Sequence, residues 1–409
     1  MRRVLPAVLA LLVAAAAAAC PFCSAPSLTL TEQLAQSQVA VIAEWRDAVR
    51  GDGQTVAATT LRIRDVLTPN PPPGVAAGQT VRLPSYRAAE PGGLFLLLAN
   101  DAETATATFE PKTFGEDAAS LADVIPRKDG ELVWSSPIEV SPDAADYIAS
   151  LPPRSQPPSE RLVFFMKYLE HPDDTVGNDA YSEFASAPYD VIRPLAGKMP
   201  VENLRKWVAS PDTPPTRLGL YGLMLGLSGE ASDLPLMERK ITETTEEFRL
   251  GIDGVMGGYI LLAGEPGLKL IEDTKLKDKS VLFSETYAAM QALRFLWSDD
   301  ADVIPKERLR QAMRILLGRP EVADLVIADL ARWADWSVMD EVRGLYEAEG
   351  YDTGSVKRAI IRYFMTATQV KTDPPPPELK AKAAEILAAL KEQDPKTYKA
   401  AERFFFLNG

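Results

Sequence analysis

At 409 residues the chain exceeds one ordinary core, since domains usually run to about 100–200 residues, so two units or a domain with a repeat array is expected. Hydrophobic residues at 46% and charged residues at 25% give the balance of a folded soluble protein and exclude disorder as the main state. The formal net charge of −13, spread along the chain and not gathered in a tail, argues against nucleic acid and against an anionic membrane surface, because either needs a basic face.

Residues 1–19 read as a secretory signal: Arg2 and Arg3 are followed by an apolar stretch from Val4 to Ala19, with Ala17 and Ala19 as the small residues of a cleavage site. The mature chain then begins at or near Cys20, in a periplasmic, cell-envelope or extracellular setting. No later stretch reaches the roughly 18 uncharged apolar residues of a membrane span. Ala17-Ala18-Ala19-Cys20 also resembles in part the lipidation signal of bacterial lipoproteins, which implies a lipid anchor at Cys20 as an alternative. Cys20 and Cys23, in Cys-Pro-Phe-Cys, are the chain's two cysteines, and in an oxidising compartment they are expected to pair with each other. So short a loop removes little unfolded-state entropy, so the bridge acts as a local pin.

Residues 20–150 carry strand signals after one short helix. Thr29-Leu30-Thr31-Glu32 matches a capping box and predicts a helix over residues 31–37. Val39 to Trp45 is an apolar run of strand length, and Leu61 to Val66 alternates apolar and polar as a half-buried strand does. Further strands are expected at Thr80–Leu83, Leu94–Leu98, Ala105–Phe109 and Glu131–Trp134, each bounded by turn residues. Several short strands of this kind suggest a small barrel or sandwich.

This region resembles the netrin-like group, whose fold is an oligonucleotide/oligosaccharide-binding (OB) barrel and which includes the tissue inhibitors of metalloproteinases. The resemblance rests on the N-terminal cysteines, on the strands Val39–Trp45 and Leu61–Val66, and on Gly92-Gly93-Leu94-Phe95-Leu96-Leu97-Leu98. It implies an OB-like fold. In the inhibitors the N-terminal cysteine's amine and carbonyl chelate a protease zinc, a role that falls on Cys20 here. The spacing departs from theirs, Cys-x-x-Cys for Cys-x-Cys.

Prolines at 152, 153, 157 and 158 mark a linker over residues 151–158. From residue 159 to 409 the apolar period becomes helical. Leu162, Phe165, Met166 and Leu169 are followed by the turn His171-Pro172-Asp173-Asp174, and then by Val176, Ala180, Tyr181 and Phe184. Similar turn-then-helix arrangements open at Ala209-Ser210-Pro211-Asp212, at Gly264-Glu265-Pro266 and at Gly318-Arg319-Pro320-Glu321, with proline in the first helical turn, where its missing N–H costs nothing. Pro376 to Lys391, rich in Ala, Lys and Glu, reads as a final capping helix. A spacing of about forty to fifty-five residues resembles the HEAT and armadillo α-solenoids, whose repeats bury their faces only against neighbours. An ordinary helical bundle is the alternative. The fold class is therefore multi-domain α+β, an OB-like barrel followed by an all-α HEAT-like domain.

Catalytic signals are sparse. The one histidine, His171, excludes histidine triads and multi-histidine zinc sites and reads as a turn residue. Asp173, Asp174 and Asp179 are expected near a helix start, where acids suit the macrodipole. Gly251-Ile252-Asp253-Gly254-Val255-Met256-Gly257-Gly258 lacks the ending of a phosphate loop and is better explained by close helix packing. No cofactor and no metal is indicated. The expected role is that of an exported, non-enzymatic binding or scaffold protein with a protein partner. The alternatives are a thiol-disulfide oxidoreductase using Cys20 and Cys23, and a metalloprotease inhibitor acting through Cys20.

Overall fold

Thr29 opens the first helix as the sequence requires. Its hydroxyl accepts the Glu32 N–H at 3.2 Å while the Glu32 carboxylate accepts the Thr29 N–H at 2.9 Å, the two halves of a capping box. The helix, α1, covers Leu30–Ala35. The computed structural model describes residues 20–23, 28–52, 55–101, 132–244, 247–299, 302–403 and 405. The signal over residues 1–19 and the strand expected at Ala105–Phe109 lie outside them.

The chain is mixed α+β and divides into two compact units. One comprises Ser24–Ala187; the other joins Pro188–Gly409 to the N-terminal segment ending at Cys23. In the first unit, β1 (Val39–Val49) pairs antiparallel with β2 (Ala58–Val66) on one side and with β4 (Leu94–Asp101) on the other. The short β3 (Thr80–Leu83) flanks β2, while β5 (Leu132–Trp134) and β6 (Ile138–Val140) both pair with β4. Strand β1 can be central because Val39, Ala40, Val41, Ile42 and Ala43 are all buried, leaving neither face in water at that end. Strand β2 alternates instead, with Leu61 and Ile63 buried and Arg62 exposed. The register with β2 shifts between Ile42 and Ala43 and again between Trp45 and Asp47, irregularities that increase local twist. Leu61, Ile63, Leu83, Phe95 and Leu97 form the sheet's core with Val39, Val41 and Ala43 of β1.

The described helices of this unit also include α2 (Pro142–Ala149), α3 (Pro158–Phe165) and α4 (Asp174–Ala185). Ser141 caps α2 with proline following it, and its hydroxyl donates to Asp173, the N-cap of α4, at 2.5 Å. Helix α2 packs on β4 and on α4. These ties carry the division between units to Ala187 and Pro188, beyond the proline-rich stretch at 151–158 where the sequence places a linker.

The second unit is helical. Its helices include α5 (Tyr189–Ile192), α6 (Val201–Ala209), α7 (Pro215–Ser228), α8 (Leu234–Thr242), α9 (Ile252–Ala263) and α10 (Glu265–Ile271). They continue with α11 (Phe283–Ser298), α12 (Lys306–Ile315), α13 (Ala323–Arg332), α14 (Met339–Gly344), α15 (Gly354–Gln369), α16 (Pro377–Gln393) and α17 (Pro395–Glu402). Two local expectations shift. Helix α7 starts at Pro215, so Pro211 stays in the preceding turn. The helix expected to be last is followed by α17, which begins because Asp394 accepts the Thr397 N–H at 3.0 Å with Pro395 at the first position.

Neighbour packs on neighbour: α7 on α9, α9 on α11, α13 on α15, and α15 on both α16 and α17. Between α11 and the end of α13, Trp297 and Trp333 stack with ring centroids 4.4 Å apart. Charged groups tie further segments of this unit together. Arg205 reaches Asp233, Arg249 reaches Glu285, Arg294 reaches Asp329 and Arg314 reaches Asp335. Each of these acids is buried, so the pair satisfies a carboxylate that burial would otherwise penalise. Among the described residues no helix is long and apolar enough to cross a membrane.

Candidate functional site

Cys20 and Cys23 form a disulfide, with Cα atoms 5.3 Å apart. The intervening Pro21 and Phe22 make a turn in which the Cys23 N–H donates to the Cys20 carbonyl at 3.2 Å. Proline at the second position of such a turn presets its backbone, so the four residues need little further constraint to close. Closing a loop this short removes only about 2 kcal/mol of unfolded-state entropy. Its consequence is to hold Phe22 outward as a knob.

The knob has a seat within the helical unit. Phe22 is 8% exposed and meets Phe295 of α11 edge-on, with ring centroids 4.8 Å apart; Phe295 meets Tyr189 of α5 in the same way at 5.0 Å. Glycines make the room. A Cβ on Gly257 of α9 would fall 2.6 Å from the Phe22 ring, and one on Gly219 of α7 would fall 2.7 Å from the Phe22 carbonyl oxygen. The sequence drew attention to the sulfurs and missed the aromatic between them. The available signal was small residues at three- and four-residue spacing on two helices, Gly219-Gly222-Gly226 and Gly254-Gly258, of which the Gly251–Gly258 run alone was read as a packing face.

The placement of the sulfurs governs their chemistry. Cys20 is 3% exposed. In reactive Cys-x-x-Cys pairs the first thiol is accessible and a helix N-terminus lowers its pKa; here the first cysteine is the buried one.

Phe22→Ala should destabilise the helical unit by about 2–3 kcal/mol, somewhat less than an interior phenylalanine because the loop can lift away instead of leaving a cavity. Urea unfolding of the full chain measures this. A variant within about 0.5 kcal/mol of the parent, the range of an ordinary surface change, would show that the ring contributes no packing energy.

The other residues singled out by sequence lie in the first unit. The His171 ring nitrogen Nδ1 accepts the Asp173 N–H at 3.1 Å, as befits a turn residue. Asp173 accepts the N–H groups of Thr175 and Val176, and its hydrogen bond from Ser141 leads the effects holding its carboxyl below the usual carboxylate range. Asp179 does not join it at the helix start. It is 6% exposed in the middle of α4, where one oxygen accepts the Leu30 N–H at 2.6 Å and the other accepts the Tyr147 hydroxyl at 2.8 Å. Burial pushes its carboxyl up to about 6, against the lowering effect of those two hydrogen bonds. One turn on, buried Glu183 accepts from Arg161 at 2.9 Å. A raised carboxyl can mark catalysis, but both oxygens of Asp179 are engaged by protein donors. The arrangement pins α1, α2 and α4 together.

Set against models of known protein families, curated proteins and solved structures, the chain has no match in any of the three.

Proposed function

We propose that this chain is an exported, non-enzymatic binding or scaffold protein that recognises another protein. The observation that carries the reading is the row of helices in the second unit that pack on one another, with four buried acids each paired to an arginine from a different segment of the row. Repeated neighbour packing of this kind supports a HEAT-like solenoid, an architecture suited to presenting an extended surface to a partner. In the first unit, a long, bulged β1 paired with both β2 and β4 supports an OB-like, netrin-like module. The disulfide supports export, because such bonds persist in oxidising compartments.

The two rival roles need an accessible N-terminal loop. An oxidoreductase needs an attackable sulfur, and a zinc-chelating inhibitor needs a free Cys20 carbonyl; Cys20 is buried and its carbonyl accepts the Cys23 N–H. The test is a comparison of the parent with the Cys20→Ser, Cys23→Ser double variant. Cross-linking in the exported fraction should trap the same protein partner with both, and neither should accelerate dithiol-driven insulin reduction. Insulin reduction by the parent alone would establish the oxidoreductase instead. Loss of the cross-linked partner in a folded double variant would move recognition to the loop.

A further inference from the structure

Helices α13 and α15 leave between them a cavity of about 640 Å³, within the usual size range of small-ligand sites. Arg332, Arg358 and Arg362 reach it over a surface that includes Ala328, Ala359 and Val370. Arg358 and Arg362 stand four residues apart on one helix face, where like charges repel. Proximity to Arg358 adds to burial in lowering the pKa of Arg362.

Elsewhere in this unit many buried and half-buried arginines are neutralised. Arg205, Arg249, Arg294, Arg308, Arg314 and Arg319 each pair with a carboxylate. The cavity's arginines are treated differently. Arg358 has no ion-pair or hydrogen-bond partner among the described residues. Arg362 donates from Nε to the Ala401 carbonyl at 3.1 Å, a neutral acceptor that anchors it to α17. Arg332 lies 3.0 Å from Asp329, but that carboxylate is already held by Arg294 at 2.8 Å, so one negative charge serves two guanidinium groups. The single carboxylate lining the cavity, Asp324, accepts the Leu325 N–H at 3.0 Å and forms no ion pair among the described residues. In a chain of net charge −13, Arg358 and Arg362 face a cavity without an acid paired to either, although the sequence supplies such partners freely elsewhere and Asp324 lines the same cavity.

We infer that this groove binds a small organic oxyanion, a carboxylate or phosphate monoester with an apolar body, gripped by Arg358 and Arg362. Guanidinium forks match both oxyanion types, and the alanine and valine side chains of the groove cover the remainder. The inference stands apart from the protein-partner reading and does not depend on it.

Isothermal titration calorimetry of the full chain tests it, using phenyl phosphate, 4-phenylbutyrate, inorganic phosphate and benzyl alcohol. At least one of the two aromatic anions should bind, and bind about ten- to a hundredfold more weakly to Arg358→Gln, the loss expected for a charged hydrogen bond. Which of the two binds distinguishes phosphate from carboxylate recognition. The ligand-free melting temperature of Arg358→Gln should be unchanged or higher, since the substitution relieves repulsion of Arg362. Should that variant fail to fold, Arg358→Lys keeps the charge without the fork and should still bind more weakly. Absence of binding by both aromatic anions overturns the proposal. So does equal affinity in the parent and the folded variant, or binding of benzyl alcohol or inorganic phosphate as tight as that of the aromatic anions.

Discussion

Gly258→Ala is expected to destabilise the helical unit by roughly 3–5 kcal/mol, a large share of the total stability of an ordinary domain. A Cβ at this position would fall 2.1 Å from the Gly222 carbonyl oxygen and 2.8 Å from its carbonyl carbon. Both are backbone atoms, so no side-chain rotation relieves the clash. Either α7 and α9 separate, or one of them bends. The contact is reciprocal, because a Cβ on Gly226 would fall 2.3 Å from the Gly258 Cα, and one on Gly254 would fall 2.2 Å from the Gly219 carbonyl oxygen. The control is Gly344→Ala at the end of α14, where a Cβ meets nothing within 4 Å and the backbone is helical at φ −62°. There alanine should raise stability by about 0.5–1 kcal/mol by restricting the unfolded chain. Equilibrium urea unfolding of the two variants beside the parent reads both effects. If Gly258→Ala unfolds within about 1 kcal/mol of the parent, the close approach of α7 and α9 is wrong.

What the sequence made legible is local chemistry. The capping box at Thr29 and Glu32 needs four consecutive residues, and β2 needs only the alternation from Leu61 to Val66, so both could be read without tertiary information. The Gly251–Gly258 run was readable as a packing face because small residues at helical spacing have few other uses. Its partner stripe on α7 was not, since nothing within α9 says which helix it meets. The same limit hid three further features. Phe22 finds Phe295 across most of the chain, and Asp179 finds the Leu30 N–H at a sequence separation of 149. The repulsive pair Arg358 and Arg362 looks like an ordinary solvated face until its missing acids are counted in space. At the linker a local signal and the division into compact units fall at different places. Prolines at 152, 153, 157 and 158 do interrupt helices, yet α3 and α4 stay with the sheet, as Asp179 and Ser141 hold α4 to α1 and α2 from the far side of the break.

Asp179 gives the first unit a distinctive response to pH. Its folded-state pKa is raised to about 6 from an ordinary 3.8, mainly by burial. Between those values the folded protein binds more protons than the unfolded chain, so its stability must fall as pH rises through the window. The contribution is fully present below about pH 3.8 and lost above about pH 6. A shift of this size corresponds to about 3 kcal/mol. Asp179→Asn removes the titration while keeping an oxygen to accept the Leu30 N–H. The difference in stability between parent and variant should therefore move by about 2 kcal/mol against the parent from pH 4 to pH 7. Hydrogen exchange in β1 peptides, corrected for intrinsic pH dependence, reports on this unit separately from the helical one. A parent that gains stability relative to Asp179→Asn over the same range would mean that the hydrogen bonds from Leu30 and Tyr147 outweigh desolvation. Asp179 would then be a carboxylate held ionised by its donors.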